Sequence, residues 1–148
     1  MITAGIDVGS RSIKVVLLEE LDINGAPQLK YGVKKVHIMM PGDLDQDVAA
    51  DKAYDEALAA AGLKREDVSA VFATGAGRKQ VTFATEGVTE MTSGAKGAVF
   101  MFPAARTVVD VGAEEGRGMK TDAEGRAIDF AGNEKCAAGA GSFAEAMS

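Results

Sequence analysis

The feature that most constrains this chain is a short pattern that occurs twice. Residues 4–10 read as an apolar run ending in Asp-Val-Gly, and residues 107–113 repeat the pattern 103 positions later. A strand that ends in Asp-x-Gly suits metal-phosphate binding, because the carboxylate can face Mg²⁺ and glycine lets backbone N–H groups approach phosphate oxygens. Two such turns facing each other across a cleft would hold a nucleotide from both sides.

A single Asp-x-Gly is weak evidence, because aspartate and glycine are ordinary turn residues. Here Asp110 and Gly112 repeat the arrangement of Asp7 and Gly9 in matching strand context. The repetition therefore favours phosphate binding over a plain hairpin turn at both places.

Composition excludes several classes of function. The 148 residues are 47% hydrophobic and 26% charged, with a net charge of −6, which argues against a surface for nucleic acid or anionic membrane. The longest apolar runs are too short to span a bilayer, and the chain opens on a strand without a secretory leader pattern. A single cysteine excludes an intrachain disulfide framework and fits the cytoplasm.

Periodicity and turn signals predict an α/β fold. A helix is expected over 43–62, with Leu44, Val48, Ala49, Ala53, Leu58 and Ala61 largely on one face and Gly62 ending it. A second helix is expected over 92–102, and a third after Gly139 or Gly141. Strands are predicted over 2–8, 12–19, 28–38, 68–73, 106–111, around 118–121 and over 126–130.

This order is β-β-β-α-β-α, after which β-β-β-α begins again. We therefore expect a first domain over 1–103 and the beginning of a second, truncated domain over 104–148. Duplicated units with Asp-x-Gly turns resemble the superfamily of actin, the Hsp70 ATPase domain, acetate kinase and sugar kinases, which implies a ribonuclease H-like, actin-like ATPase fold.

Within that superfamily, four segments resemble the ATPase subunits of benzoyl-CoA reductase and the activators of 2-hydroxyacyl-CoA dehydratases, the BadF/BadG/BcrA/BcrD type. They are GIDVGS with the following Lys14, ATGAGR over 73–78, VDVG over 109–112, and KCAAGAGSF over 135–143. The last is the most specific, because general nucleotide-binding relatives lack its cysteine. The resemblance covers the whole chain but about the first half of a family member.

The resemblance implies an ATPase component that uses ATP/ADP, Mg²⁺ and a 4Fe–4S cluster shared between two subunits. Hydrolysis would drive a low-potential electron onto an acyl-CoA reductase or dehydratase component, as in anaerobic aromatic degradation. The implied partners are a second ATPase subunit, in a homo- or heterodimer, the acyl-CoA component and a ferredoxin-type electron donor. No nucleic acid or membrane partner is implied.

The resemblance also assigns roles to residues. Asp7 and Asp110 would be catalytic and lie near Mg²⁺, directly or through water, and Glu114 would position the attacking water. Cys136, next to a predicted helix N-terminus that favours a thiolate, would be a cluster ligand. The residues that would contact the nucleotide are Gly9, Ser10, Arg11, Ser12, Ile13, Lys14, Gly112 and Ala113.

Two departures from the family pattern bear on function. In the dehydratase activators the second Asp-x-Gly continues with Gly-Gln-Asp, whereas here it continues Ala113-Glu114-Glu115, which favours a benzoyl-CoA reductase-type subunit. The family's second cluster cysteine, expected beyond Cys136, is absent from this sequence.

A sugar- or acetate-kinase-type phosphotransferase and a non-catalytic nucleotide-binding fragment are the alternatives. For residues 74–78, a structural turn is favoured over a catalytic role.

Overall fold

The computed structural model describes residues 1–21, 30–111 and 116–132. Contacts divide the chain into two compact units, Met1–Val88 and Thr89–Ser148. The predicted α/β class is confirmed, with a mixed sheet in the first unit. No helix of the described ranges is long and apolar enough to cross a membrane.

In the described part of the first unit, α1 (Gln46–Ala61) packs on a five-stranded sheet. The strands lie in the order β3-β2-β1-β4-β5. The pairs β1–β2 and β2–β3 are antiparallel, whereas β4 runs parallel to β1 and β5 runs parallel to β4. The strand bounds are β1 Ile2–Val8, β2 Ile13–Leu21, β3 Lys30–Met39, β4 Val68–Thr74 and β5 Glu86–Gly87.

The core of this unit lies between α1 and one face of the sheet. Because side chains alternate along a strand, β1 and β2 place every second residue in it: Ala4, Ile6, Val8, Ile13, Val15 and Leu17. The helix contributes mainly small side chains to the core: Ala49, Ala50, Ala53, Tyr54, Ala57 and Leu58. Alanines at these positions allow the helix to lie close to the strands.

Two details of the helix prediction were wrong. Leu44 and Val48, expected on the buried face, are 42% and 51% exposed. Leu44 precedes the helix, which begins after Asp45, and Val48 lies beside the alanine face. The predicted end is confirmed, since Gly62 adopts a φ of 68° and its N–H bonds the carbonyls of the last turn.

The opposite face of the same sheet carries different residues. Asp7 and Lys14 lie on it, together with Val16, because these positions alternate with the buried ones. The neighbouring strands place Val36, Ile38 and Phe72 there, and all three side chains are exposed. The sheet therefore presents its predicted phosphate turn and an apolar surface on the face away from α1.

The second unit combines α2 (Glu90–Met101) with an antiparallel meander of three strands, β6 Thr107–Val111, β7 Gly116–Thr121 and β8 Ala127–Gly132. Met119 of β7 and Ala95 of α2 are buried where the helix packs on the strands. The helix was expected to close the first unit, but its contacts group it with the second. The helix predicted after Gly139 or Gly141 lies outside the described residues.

Candidate functional site

The first Asp-x-Gly turn is a tight hairpin between β1 and β2. Val8 pairs with Ile13, which leaves a four-residue loop over 9–12, closed by a hydrogen bond of 3.1 Å from the Gly9 N–H to the Ser12 carbonyl. A Cβ at Gly9 would lie 3.1 Å from that carbonyl oxygen. Glycine therefore suits this loop, which places several backbone groups at the end of β1.

Lys14 lies directly across the hairpin from Asp7. The two residues are cross-strand partners, and Lys14 Nζ lies 2.9 Å from Asp7 Oδ2. Their side chains are 48% and 34% exposed, respectively, so the ion pair adds little to folding stability. The pair instead places a carboxylate and an ammonium group together where the hairpin loop begins, and these are groups that can bind a metal ion and a phosphate, respectively.

The loop residues differ in what they can offer a ligand. Ser10 and Arg11 are exposed and Ser12 is half-buried. The Ile13 side chain is fully buried in the core, so only the backbone of Ile13 could contact a nucleotide. The loop thus supplies two exposed polar side chains beside Asp7 and Lys14.

The turn over 74–78 packs against the same strand end. Because β4 runs parallel to β1, Thr74 is the neighbour of Asp7 and the carboxyl ends of both strands meet. The Gly77 N–H donates to the Val8 carbonyl at 3.0 Å. Gly75, with φ of +87°, lies so close that an added Cβ would be 2.5 Å from Asp7 Oδ1.

Gly75 therefore lies beside Asp7 and Gly77 beside Val8, two contacts that the sequence reasoning missed. The signal that could have found them is topological: a fourth strand that follows a helix crossover runs parallel to β1 and ends beside it. Arg78 Nη1 also donates to the Gly75 carbonyl at 3.1 Å, which fixes the turn.

The second Asp-x-Gly hairpin is described in part. Asp110 lies in β6, is exposed, and has Arg117 of β7 as its cross-strand partner. Arg117 Nη1 donates to Glu90 Oε2 at the start of α2. The remaining predicted residues of this half lie outside the described residues: Gly112, Ala113, Glu114 and Cys136.

The residues present fit Mg²⁺ and the cluster differently. Mg²⁺ is commonly held by one or two carboxylates, phosphate oxygens and water, and Asp7 supplies a carboxylate beside a loop suited to phosphate. Among residues 1–21, 30–111 and 116–132, no group of three or more His, Cys, Asp or Glu side chains could hold a metal ion. A 4Fe–4S cluster ordinarily takes four thiolates, and one cysteine per chain does not supply them.

The chain resembles known proteins over almost its whole length. A sequence profile of the BadF/BadG/BcrA/BcrD ATPase family matches residues 4–148. The chain belongs to that family. The resemblance drawn from the four segments is thereby confirmed.

Individual relatives are similar over the whole of this chain. The activator of lactoyl-CoA dehydratase from Anaerotignum propionicum is 38% identical over 148 residues, which cover 99% of this chain and 52% of the relative. A benzoyl-CoA reductase subunit from Thauera aromatica is 36% identical over 144 residues, covering 97% and 49%. The chain spans about half the length of these curated relatives.

A solved structure supports the fold. The activator of the 2-hydroxyisocaproyl-CoA dehydratase from Clostridium difficile with bound ADPNP aligns with a TM-score of 0.79 and 31% identity. The alignment covers 99% of this chain and 51% of that one. The chain therefore shares the fold of about half of that activator.

Proposed function

We propose that this chain binds and hydrolyses ATP as part of an activator that drives an acyl-CoA dehydratase or reductase component. The observation that carries the proposal is the Asp7–Lys14 hairpin packed against Gly75, in a chain of this ATPase family. In this proposal, residues 1–103 correspond to a first actin-like domain and 104–148 to the beginning of a second, although the compact units divide at Val88.

Different residues of the first hairpin would bind the metal ion and the phosphates. Asp7 would hold Mg²⁺ directly or through water, and the backbone of Gly9 to Ile13 would face the phosphates together with Ser10, Arg11 and Ser12. Lys14 would oppose the negative charge of the phosphates. In hydrolysis a water attacks the terminal phosphorus and the P–O bond to ADP breaks, so that these groups act by positioning and by charge.

The second hairpin would act on the same reaction. Asp110 is assigned a Mg²⁺ contact, Gly112 and Ala113 phosphate contacts, and Glu114 the positioning of the attacking water. These roles follow from the repeated pattern and the family membership.

The finer form of the proposal concerns the partner. Hydrolysis would drive electron transfer from a 4Fe–4S cluster, shared between two subunits through Cys136, to a benzoyl-CoA-type reductase, with a ferredoxin-type donor, in the cytoplasm. The continuation Ala113-Glu114-Glu115 supports a reductase over a dehydratase partner. Two copies of this chain supply two Cys136 thiolates, so the other two cluster ligands of this proposal come from outside these 148 residues.

Calorimetry with Mg-ADP tests nucleotide binding. Asp7→Asn and Asp110→Asn should each weaken binding about tenfold or more, because each removes a charge from the metal-phosphate site. Asp129→Asn is the matched control, since Asp129 is an exposed strand aspartate paired with Lys120 at 3.8 Å. Equal affinity in all four proteins, or no binding by the unmodified chain, would refute the proposal.

A further inference from the structure

The two hairpins agree beyond their shared motif. In the first, Asp7 faces Lys14 across the strands, and the paired Val8 and Ile13 leave four loop residues. In the second, Asp110 faces Arg117, and the paired Val111 and Gly116 leave four positions between them. Lys14 and Arg117 are themselves 103 residues apart, the offset that separates the two aspartates. Each aspartate is therefore matched by a cation at the same position of the same hairpin.

We propose that Arg117 is a positioning residue of the second Asp-x-Gly turn, the counterpart of Lys14 in the first. This inference rests on the proposed function, because it assigns Arg117 to the phosphate turn that the proposal places in the second hairpin. Antiparallel partners point to the same face of a sheet, so Arg117 and Asp110 share the face on which α2 packs.

Glu90 fixes the position of Arg117. It lies in the first turn of α2, and its carboxylate accepts a hydrogen bond from the Arg117 guanidinium. The Arg117 side chain is 25% exposed, whereas Lys14 in the first hairpin is 48% exposed, and the carboxylates of the two pairs are about equally exposed. A carboxylate in the first turn is also favoured by the helix dipole. The contact ties β7, beside Asp110, to the start of a helix.

The guanidinium is suited to this double task. It presents five N–H donors in a rigid plane, so one terminal nitrogen can bind Glu90 while others face a carboxylate or a phosphate oxygen. Lysine has a single ammonium group on a flexible stem and cannot hold two partners in a fixed geometry as well. The arginine at this position is thus explained by the helix contact that the second hairpin has.

The experiment measures ADP affinity with and without Mg²⁺ for the 148-residue chain and five variants: Arg117→Met, Arg117→Lys, Glu90→Gln, Lys120→Met and the double variant Arg117→Met/Glu90→Gln. Lys120 is the matched control, because it lies on β7, is 66% exposed and contacts Asp129 at 3.8 Å. Arg117→Met and Lys120→Met change the net charge equally. Thermal unfolding of every variant separates folding defects from binding defects.

Arg117→Met should weaken Mg-ADP binding about tenfold and reduce the stimulation of binding by Mg²⁺, whereas Lys120→Met should change neither. Arg117→Lys should recover part of the affinity. Glu90→Gln should weaken Mg-ADP binding less, and its effect should largely disappear when Arg117 is already methionine. Arg117→Met binding like Lys120→Met, while Asp7→Asn loses binding, would overturn this inference and leave the proposed function standing. No Mg-ADP binding by the unmodified chain would overturn both.

Discussion

Gly75 offers a sharp test of how the candidate site is built. It is buried, its φ is +87°, and a Cβ at this position would lie 2.5 Å from both Asp7 Oδ1 and the Val8 carbonyl oxygen. The carbonyl belongs to the backbone of a central strand and cannot move aside as a flexible side chain would. Gly75→Ala should therefore displace either the turn or Asp7.

The expected loss has two parts. A left-handed φ costs an alanine about 1 kcal/mol relative to glycine. Forcing a methyl group into a packed site adds about 1–3 kcal/mol. Gly62→Ala isolates the first part, because Gly62 has a φ of +68° and nothing lies within 4 Å of its added Cβ. The difference between the two variants is then the cost of the close approach.

Thermal or denaturant unfolding measures that difference, and Mg-ADP calorimetry shows whether Asp7 has moved. Gly75→Ala should unfold at least about 4 °C below Gly62→Ala, since about 1 kcal/mol shifts the midpoint of a small domain by that amount. It should also bind Mg-ADP more weakly, whereas Gly62→Ala should bind it unchanged. Equal stability and equal affinity of the two variants would refute this account of the turn.

Other parts of the chain give three further predictions. Ala53→Leu should destabilise the first unit by about 1–3 kcal/mol in denaturant unfolding, because Ala53 is fully buried against the sheet, whereas Ala60→Leu on the exposed side of α1 should change stability little. The backbone N–H of Arg126 donates a hydrogen bond to the Asp122 carboxylate, and with the Arg126 side chain it lowers the pKa of Asp122 below its usual 3.8. Ionised Asp122 therefore stabilises the second unit at neutral pH. This stabilisation is lost as the pH falls through the lowered pKa. Asp122→Asn should therefore reduce the loss of stability on acidification below about pH 4, and an unchanged acid dependence would contradict this. Anaerobic reconstitution of the 148-residue chain should give no stable four-iron cluster by iron and sulfide analysis, because a dimer offers two Cys136 thiolates where four are ordinarily needed. A stable cluster that is lost in Cys136→Ser would show that its ligands are misjudged.

Much of the first unit could be predicted because its elements have local signals. The bounds of β1 follow from an apolar run that ends at a turn, and the end of α1 follows from a glycine that tolerates a left-handed backbone. The beginning of α1 was placed too early, because acidic residues over 43–47 suit both a turn and a first helical turn. Local sequence leaves the start of the helix ambiguous, and the packing of the alanine face of α1 on the sheet determines it.

The surroundings of Asp7 could be predicted only in part. The partner Lys14 follows from hairpin register, which a short loop fixes almost completely. Gly75 does not, because its contact with Asp7 depends on parallel pairing between strands far apart in sequence. The unit to which α2 belongs is equally hard to predict, because it depends on contacts of α2 with β6 and β7. The hydrogen bond between Glu90 in the first turn of α2 and Arg117 depends on the same packing.

The two repeats also correspond at a position behind the shared motif. Val16 and Met119 are also 103 residues apart, and each lies two residues beyond the cation of its hairpin, on the same face as the aspartate. Met119 is buried under α2, whereas Val16 shares its face with exposed Val36 and Ile38. The repeats therefore agree at the strand end, where the chemistry lies, and differ in what packs on the face behind it. Because the aspartate and its cation keep their positions while the packing differs, the register of the hairpin, and not the core beneath it, is what the two halves have in common.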